Sequence, residues 1–136
     1  MKEMTFKASI ENIGHVTAFV EAALEEAGCG MKALMQINVA MDELFANIAR
    51  YAYPGKEGEA TVRFDLEEDP RTAVITLTDR GIPFNPLEVK EPDTTSPGDQ
   101  RPIGGLGIFL VRKTMDAVEY RHEDGFNILT IRKKIV

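Results

Sequence analysis

Pro83, Pro86, Pro92, Pro97 and Pro102 all stand between Asp79 and Gly104. Proline lacks an N–H and locks its φ, so no regular helix or central strand crosses this stretch, and residues of about 80–104 read as one long loop. Loops of that length inside a compact domain are either working lids or connections, so the flanking segments decide which this is. A chain of 136 residues has room for one domain, expected to span 1–136, and not for a second.

Before the loop, Met4 to Ile10 alternates loosely as a strand, and a helix from Glu11 or Asn12 carries Val16, Phe19, Val20 and Leu24 on one face until Gly28 and Gly30 end it. From Met31 the apolar positions Leu34, Ile37, Met41, Leu44 and Ile48 recur every three or four residues, which predicts a second amphipathic helix to about Tyr53, stopped by Pro54 and Gly55. Ala60 to Leu66 and Thr72 to Thr78 read as a strand pair turning at Glu68 to Arg71. Beyond the loop come a short helix, Leu106 to Met115, and strands Ala117–His122 and Asn127–Lys133 turning at Asp124 and Gly125. The order βααββαββ predicts an α+β two-layer sandwich: a mixed, mostly antiparallel sheet of about five strands with three helices on one face.

Composition narrows the function. The net charge of −6 argues against binding a phosphate backbone, which needs clustered Lys and Arg, so no direct nucleic-acid partner is expected. Cys29 is the only cysteine, which excludes an internal disulfide and points to the cytoplasm. No apolar run suits a membrane helix or a leader, so no membrane partner is expected either. Ser9 and Ser96 with His15 and His122 offer no convincing hydrolase triad, and neither histidine has a companion placed for a metal.

Three small constellations carry chemistry. Glu43 and Asn47, four apart on the second helix, emerge from one face, and a carboxylate with an amide oxygen suits a hard divalent cation and the deprotonation of a hydroxyl. The same pair also fits a solvated helix surface. Asp79 and Gly81 stand where a strand breaks into the loop, fit to meet a flat heterocycle with an amino group, or to form an ordinary Asp-Gly turn. Gly104, Gly105 and Gly107, with Leu106 among them, directly precede the third helix, whose N-terminal amides favour phosphate oxygens; a flexible hinge explains them as well. Arg101, Arg112 and Lys113 are further cations near that end, more often solvated than functional.

Taken in order, Glu43-x-x-x-Asn47, Asp79-x-Gly81 and Gly104-Gly105-Leu106-Gly107 resemble the N box and two glycine boxes of the Bergerat-type (GHKL) ATPases, which include DNA gyrase and the histidine kinases. Within that superfamily MDELFANIARYAYP, LTDRGIPFNP, GGLGIFLVRKTMD and NILTIRKKI look like the anti-sigma factor serine/threonine-protein kinases, over nearly the whole chain. Two positions depart from the pattern: Pro83 stands where the first glycine box has its last glycine, and Tyr51 where several sporulation-type members have histidine or lysine.

The resemblance implies ATP held between the second and third helices beneath a lid. It makes Asn47 the magnesium ligand, Asp79 and Gly81 the adenine contacts, Gly105 and Gly107 the phosphate contacts, with Gly104 and Leu106 beside them in the nucleotide site, and Glu43 the general base. It further implies a kinase that phosphorylates a serine of a STAS-domain anti-sigma factor antagonist and, as a homodimer, reversibly sequesters a sigma factor. A non-catalytic ATP-dependent binding switch and a detached histidine-kinase catalytic domain remain as alternatives.

Overall fold

The computed structural model describes residues 1–88 and 105–136. Strand β1 (Lys2–Lys7) leads through a 3-10 turn (Ile10–Asn12) into α1 (Ile13–Glu26) and then α2 (Met31–Asn47), which continues as a π-helical turn (Ile48–Ala52). Strands β2 (Glu59–Glu67) and β3 (Thr72–Asp79) follow, and past the proline-rich stretch come α3 (Gly105–Thr114), β4 (Ala117–Glu123) and β5 (Phe126–Lys134).

Local chemistry accounts for the element ends. The first strand stops at Lys7, short of the expected Ile10, because Ser9 takes an extended backbone and its hydroxyl accepts the Glu11 N–H, starting a helical turn at Ile10. At the other end of α1, Gly28 adopts φ +78°. Its N–H bonds to Glu25 and that of Cys29 to Leu24, a Schellman ending that a residue with a Cβ would enter only under strain. Asp124 and Gly125, with φ of 54° and 84°, form the tight two-residue turn that joins β4 to β5.

The sheet order is β1-β2-β3-β5-β4, so β3 is central. All four pairings are antiparallel, which corrects the expectation of a mixed sheet. The β4–β5 hairpin accounts for this. Its second strand inserts beside β3 and runs against it, so the connection through α3 leads to the sheet edge instead of building a parallel neighbour.

Period-two alternation then sorts the sheet into faces. Ala60, Val62 and Phe64 of β2, Ala73, Ile75 and Leu77 of β3, and Leu129 and Ile131 of β5 point to one side, where they are buried against the helices. The helices contribute Val16, Val20 and Leu24 from α1, Ile37, Met41, Leu44 and Phe45 from α2, and Ile108 and Val111 from α3. Phe45 is wholly buried and meets Phe6 of β1 edge-on at 6.5 Å. A buried side chain of this kind contributes about 1.5–3 kcal/mol by leaving water, so the α2 stripe is the chief anchor of the helical layer. Asn47, Asp79 and Asn127 are the buried polar residues among those described, and all three lie at one end of this core.

Candidate nucleotide site

The helix period and the strand period meet at the C-terminal end of α2. Asn47 is its last residue, Glu43 stands one turn earlier on the same face, and Asp79 is the last residue of β3. Asn47 and Asp79 line one narrow cleft together with Leu44, Ala52, Leu77, Phe84 and Asn127. The free space in it is about 30 Å3, closed on the loop side by Ile82, Phe84 and Pro86. Tyr51 lays its ring against that of Phe84, with centroids 5.6 Å apart.

Glycine serves here by permitting close approach. A Cβ on Gly81 would overlap the backbone and side chain of Ala52, and the next residue, Ile82, donates its N–H to the Ala52 carbonyl at 2.8 Å. The chain leaving β3 is thereby fastened to the π-helical turn that ends α2, which brings Asp79 to the Asn47 side of the cleft. Tyr53 adds a second tie, its hydroxyl accepting the Arg80 N–H at 2.9 Å and donating to the Glu59 carbonyl at 2.5 Å.

At Gly107 the obstacle is a side chain. A Cβ there would take the space held by the Glu43 carboxylate, so that carboxylate lies against the first turn of α3. The sequence placed the helix start near Leu106; α3 opens one residue earlier, at Gly105, and Gly107 lies within its first turn. Glycine costs a helix little at an N-terminal turn, where the N–H groups lack intrahelical partners anyway. Those free amides and the helix dipole favour a negative group, and Glu43 is the one observed beside them.

Burial raises the Glu43 carboxyl above its usual range, and the Arg50 guanidinium pulls it partly back. Its Oε1 is buried without a hydrogen-bond partner among the described residues. A buried acceptor left without a donor is a place for water, a cation or a substrate hydroxyl. The Asn47 amide oxygen and the Glu43 carboxylate are hard donors of the kind magnesium accepts, and a magnesium ion that keeps its waters and bridges phosphates needs no closed protein cage. Among the described residues there is accordingly no group of three or more His, Cys, Asp or Glu able to hold a metal unaided.

Asp79 is buried, and its bonds to described residues both end on Oδ1: the Gly81 N–H at 2.8 Å and the Asn127 amide at 2.9 Å. Asn127 and Tyr120 belong to the site although no motif marks them. The signal was present in the alternation of β5, where Asn127 occupies the inward row of Leu129 and Ile131, a polar residue in an apolar register. The cations considered at the phosphate end are placed otherwise. Arg112 donates to the Leu87 carbonyl and Lys113 sits over the Phe109 ring, both in the last turn of α3, away from its amide-bearing end. Gly104, Arg101 and the expected lid beyond Glu88 lie outside the described residues.

A buried aspartate at a strand end and an asparagine at a facing helix end thus line one cleft, and a glycine-opened helix N-terminus meets the Glu43 carboxylate one turn before that asparagine. The family described as "Histidine kinase-like ATPase domain" matches residues 6–133, and the chain belongs to it. Similar relatives include the serine-protein kinase RsbW of Bacillus mycoides (strain KBAB4), 28% identical over 131 residues, a match spanning 93% of this chain and 81% of that one. The serine-protein kinase RsbW of Bacillus cereus (strain ATCC 10987 / NRS 248) is 27% identical over the same shares. A crystal structure of the RsbU and RsbW domains of Rv1364c from Mycobacterium tuberculosis has the same fold, with a TM-score of 0.65 at 16% identity, covering 99% of this chain and 33% of that one. No helix among the described residues is long and apolar enough to cross a membrane.

Proposed function

We propose that this protein is a magnesium-dependent, ATP-using serine kinase of the cytoplasm that phosphorylates a STAS-domain anti-sigma factor antagonist and, as a homodimer, reversibly sequesters a sigma factor. The observation that carries the kinase reading is the Glu43 carboxylate, lifted in basicity by burial and lying against the first turn of α3 one helical turn from Asn47. The kinase name of the RsbW relatives, at 27–28% identity, supports the same reaction class.

Each residue then has a distinct task. Asp79 accepts the amino group of adenine, and Gly81 lets the base edge approach the backbone. Asn47 holds magnesium, while the amides of Gly105, Leu106 and Gly107, with Gly104 before them, receive phosphate oxygens. Bound ATP with magnesium would supply the phosphoryl group and neutralise its charge, the serine oxygen–phosphorus bond forming as the bond to the departing ADP breaks. Glu43 accepts the proton of the attacking serine hydroxyl, and a carboxylate of raised pKa is the stronger base for that step.

The test is phosphate transfer from γ-labelled ATP to a purified STAS-domain protein of the same organism. Acid-stable phosphoserine on that protein is the expected product. ATP binding without transfer would leave a binding switch, and acid-labile phosphohistidine would instead indicate a histidine-kinase catalytic domain.

A further inference from the structure

Asn127, the second residue of β5, ties together the stretch from Asp79 to Phe84 and Tyr120 of β4. Its amide nitrogen donates to Asp79 Oδ1 at 2.9 Å, to the Ile82 carbonyl at 2.9 Å and, more weakly, to the Gly81 carbonyl at 3.4 Å. Its amide oxygen accepts the Tyr120 hydroxyl of β4 and the Phe84 N–H, the latter at 3.3 Å. Donors thus surround the oxygen and acceptors surround the nitrogen, so only one orientation of the amide satisfies the site. Asn127 is 6% exposed and its partner Asp79 equally so, which makes any lost bond costly.

We propose that Asn127 is a positioning residue that sets the purine selectivity of the site. Together with the Gly81 N–H it occupies Asp79 Oδ1, so that among the bonds to described residues Oδ2 is the acceptor left for a ligand. An acceptor fixed in that place favours a base bearing an exocyclic amine and disfavours one bearing a carbonyl at the same position. The same amide holds Ile82 and Phe84, two residues that close the cleft on either side of Pro83, so base selection and the start of the loop depend on one side chain.

The inference rests on the nucleotide reading above, and the experiment separates the two. Titration calorimetry of the full chain with magnesium and either ATP or inosine triphosphate, which carries a carbonyl in place of the amine, measures the affinity ratio. The wild type is expected to prefer ATP by about 10–100-fold, the worth of one charged hydrogen bond. Asn127→Leu, similar in shape but unable to hold Asp79, is expected to bring the ratio to within about threefold while phosphate contacts sustain residual binding. If that variant does not fold, Tyr120→Phe, which withdraws one donor from the Asn127 oxygen, decides, with an expected loss of about threefold or more in the ratio. A wild-type protein that binds neither nucleotide overturns the nucleotide reading and this inference with it. A wild type that prefers ATP beside a folded Asn127→Leu, or in its place a Tyr120→Phe, of unchanged ratio overturns the role of Asn127 alone.

Discussion

The Glu43 carboxylate occupies the space into which any side chain at Gly107 would project. The displaced group would be the end of a flexible side chain, so alanine at 107 is accommodated by a turn of Glu43. Gly107→Ala is therefore expected to melt within a few degrees of wild type, helped by the better helix propensity of alanine, about 1 kcal/mol in a helix interior and less at its end. Phosphate transfer is expected to fall about 100-fold, since a base moved by an ångström loses its alignment. Calorimetric melting and the transfer assay on one preparation check both halves.

Gly81 presents the opposite case. Its neighbour is the Ala52 backbone, which cannot swing aside. Gly81→Ala is expected to destabilise the fold by about 1–3 kcal/mol and to weaken ATP binding, because the junction between β3 and the end of α2 must open. Urea unfolding with an unchanged m-value and a lower midpoint is the expected result.

Glu43→Gln keeps the shape and removes the base. ATP affinity is expected to stay within about threefold while transfer falls about 100- to 10,000-fold, the usual contribution of a positioned general base. The pH dependence has a definite sign. The carboxyl is raised in the folded protein, so its contribution to stability is full below its unfolded pKa near 4.5 and is lost as pH rises through the folded value. Glu43→Gln should therefore be more stable than wild type at neutral pH, and the difference should fade below about pH 4.5. Melting temperatures of both proteins across that range measure it, and the acid limb of the wild-type transfer rate should lie above the ordinary glutamate pKa.

Asn47 ends α2 in the buried wall of the cleft. Asn47→Ala is expected to abolish the magnesium dependence of nucleotide binding, with an affinity loss of about 10-fold or more. Titration with and without magnesium distinguishes this from Glu43→Gln, which should keep that dependence.

The apolar periods that define α1 and α2, the alternation of the strands and the proline-rich break were legible one segment at a time, because each expresses a local repeat. Glu43, Asn47, Asp79, Gly81 and Gly107 were legible as motifs, since each motif needs only a short stretch of chain. The start of α3 was read at Leu106, one residue late, since Gly105 begins it, as helix starts depend on what meets the free amides.

What the sequence by itself determined is therefore the kind of elements, their order and the residue types available for chemistry. Tertiary structure alone decided that β5 would lie beside β3 and run against it, and this register sets Asn127 opposite Asp79. The same folding closed Gly81 onto Ala52 and set Glu43 against Gly107. These contacts join residues 29, 48 and 64 positions apart in the chain. No local period encodes such pairs, because they form only when packing of the shared core brings the element ends together.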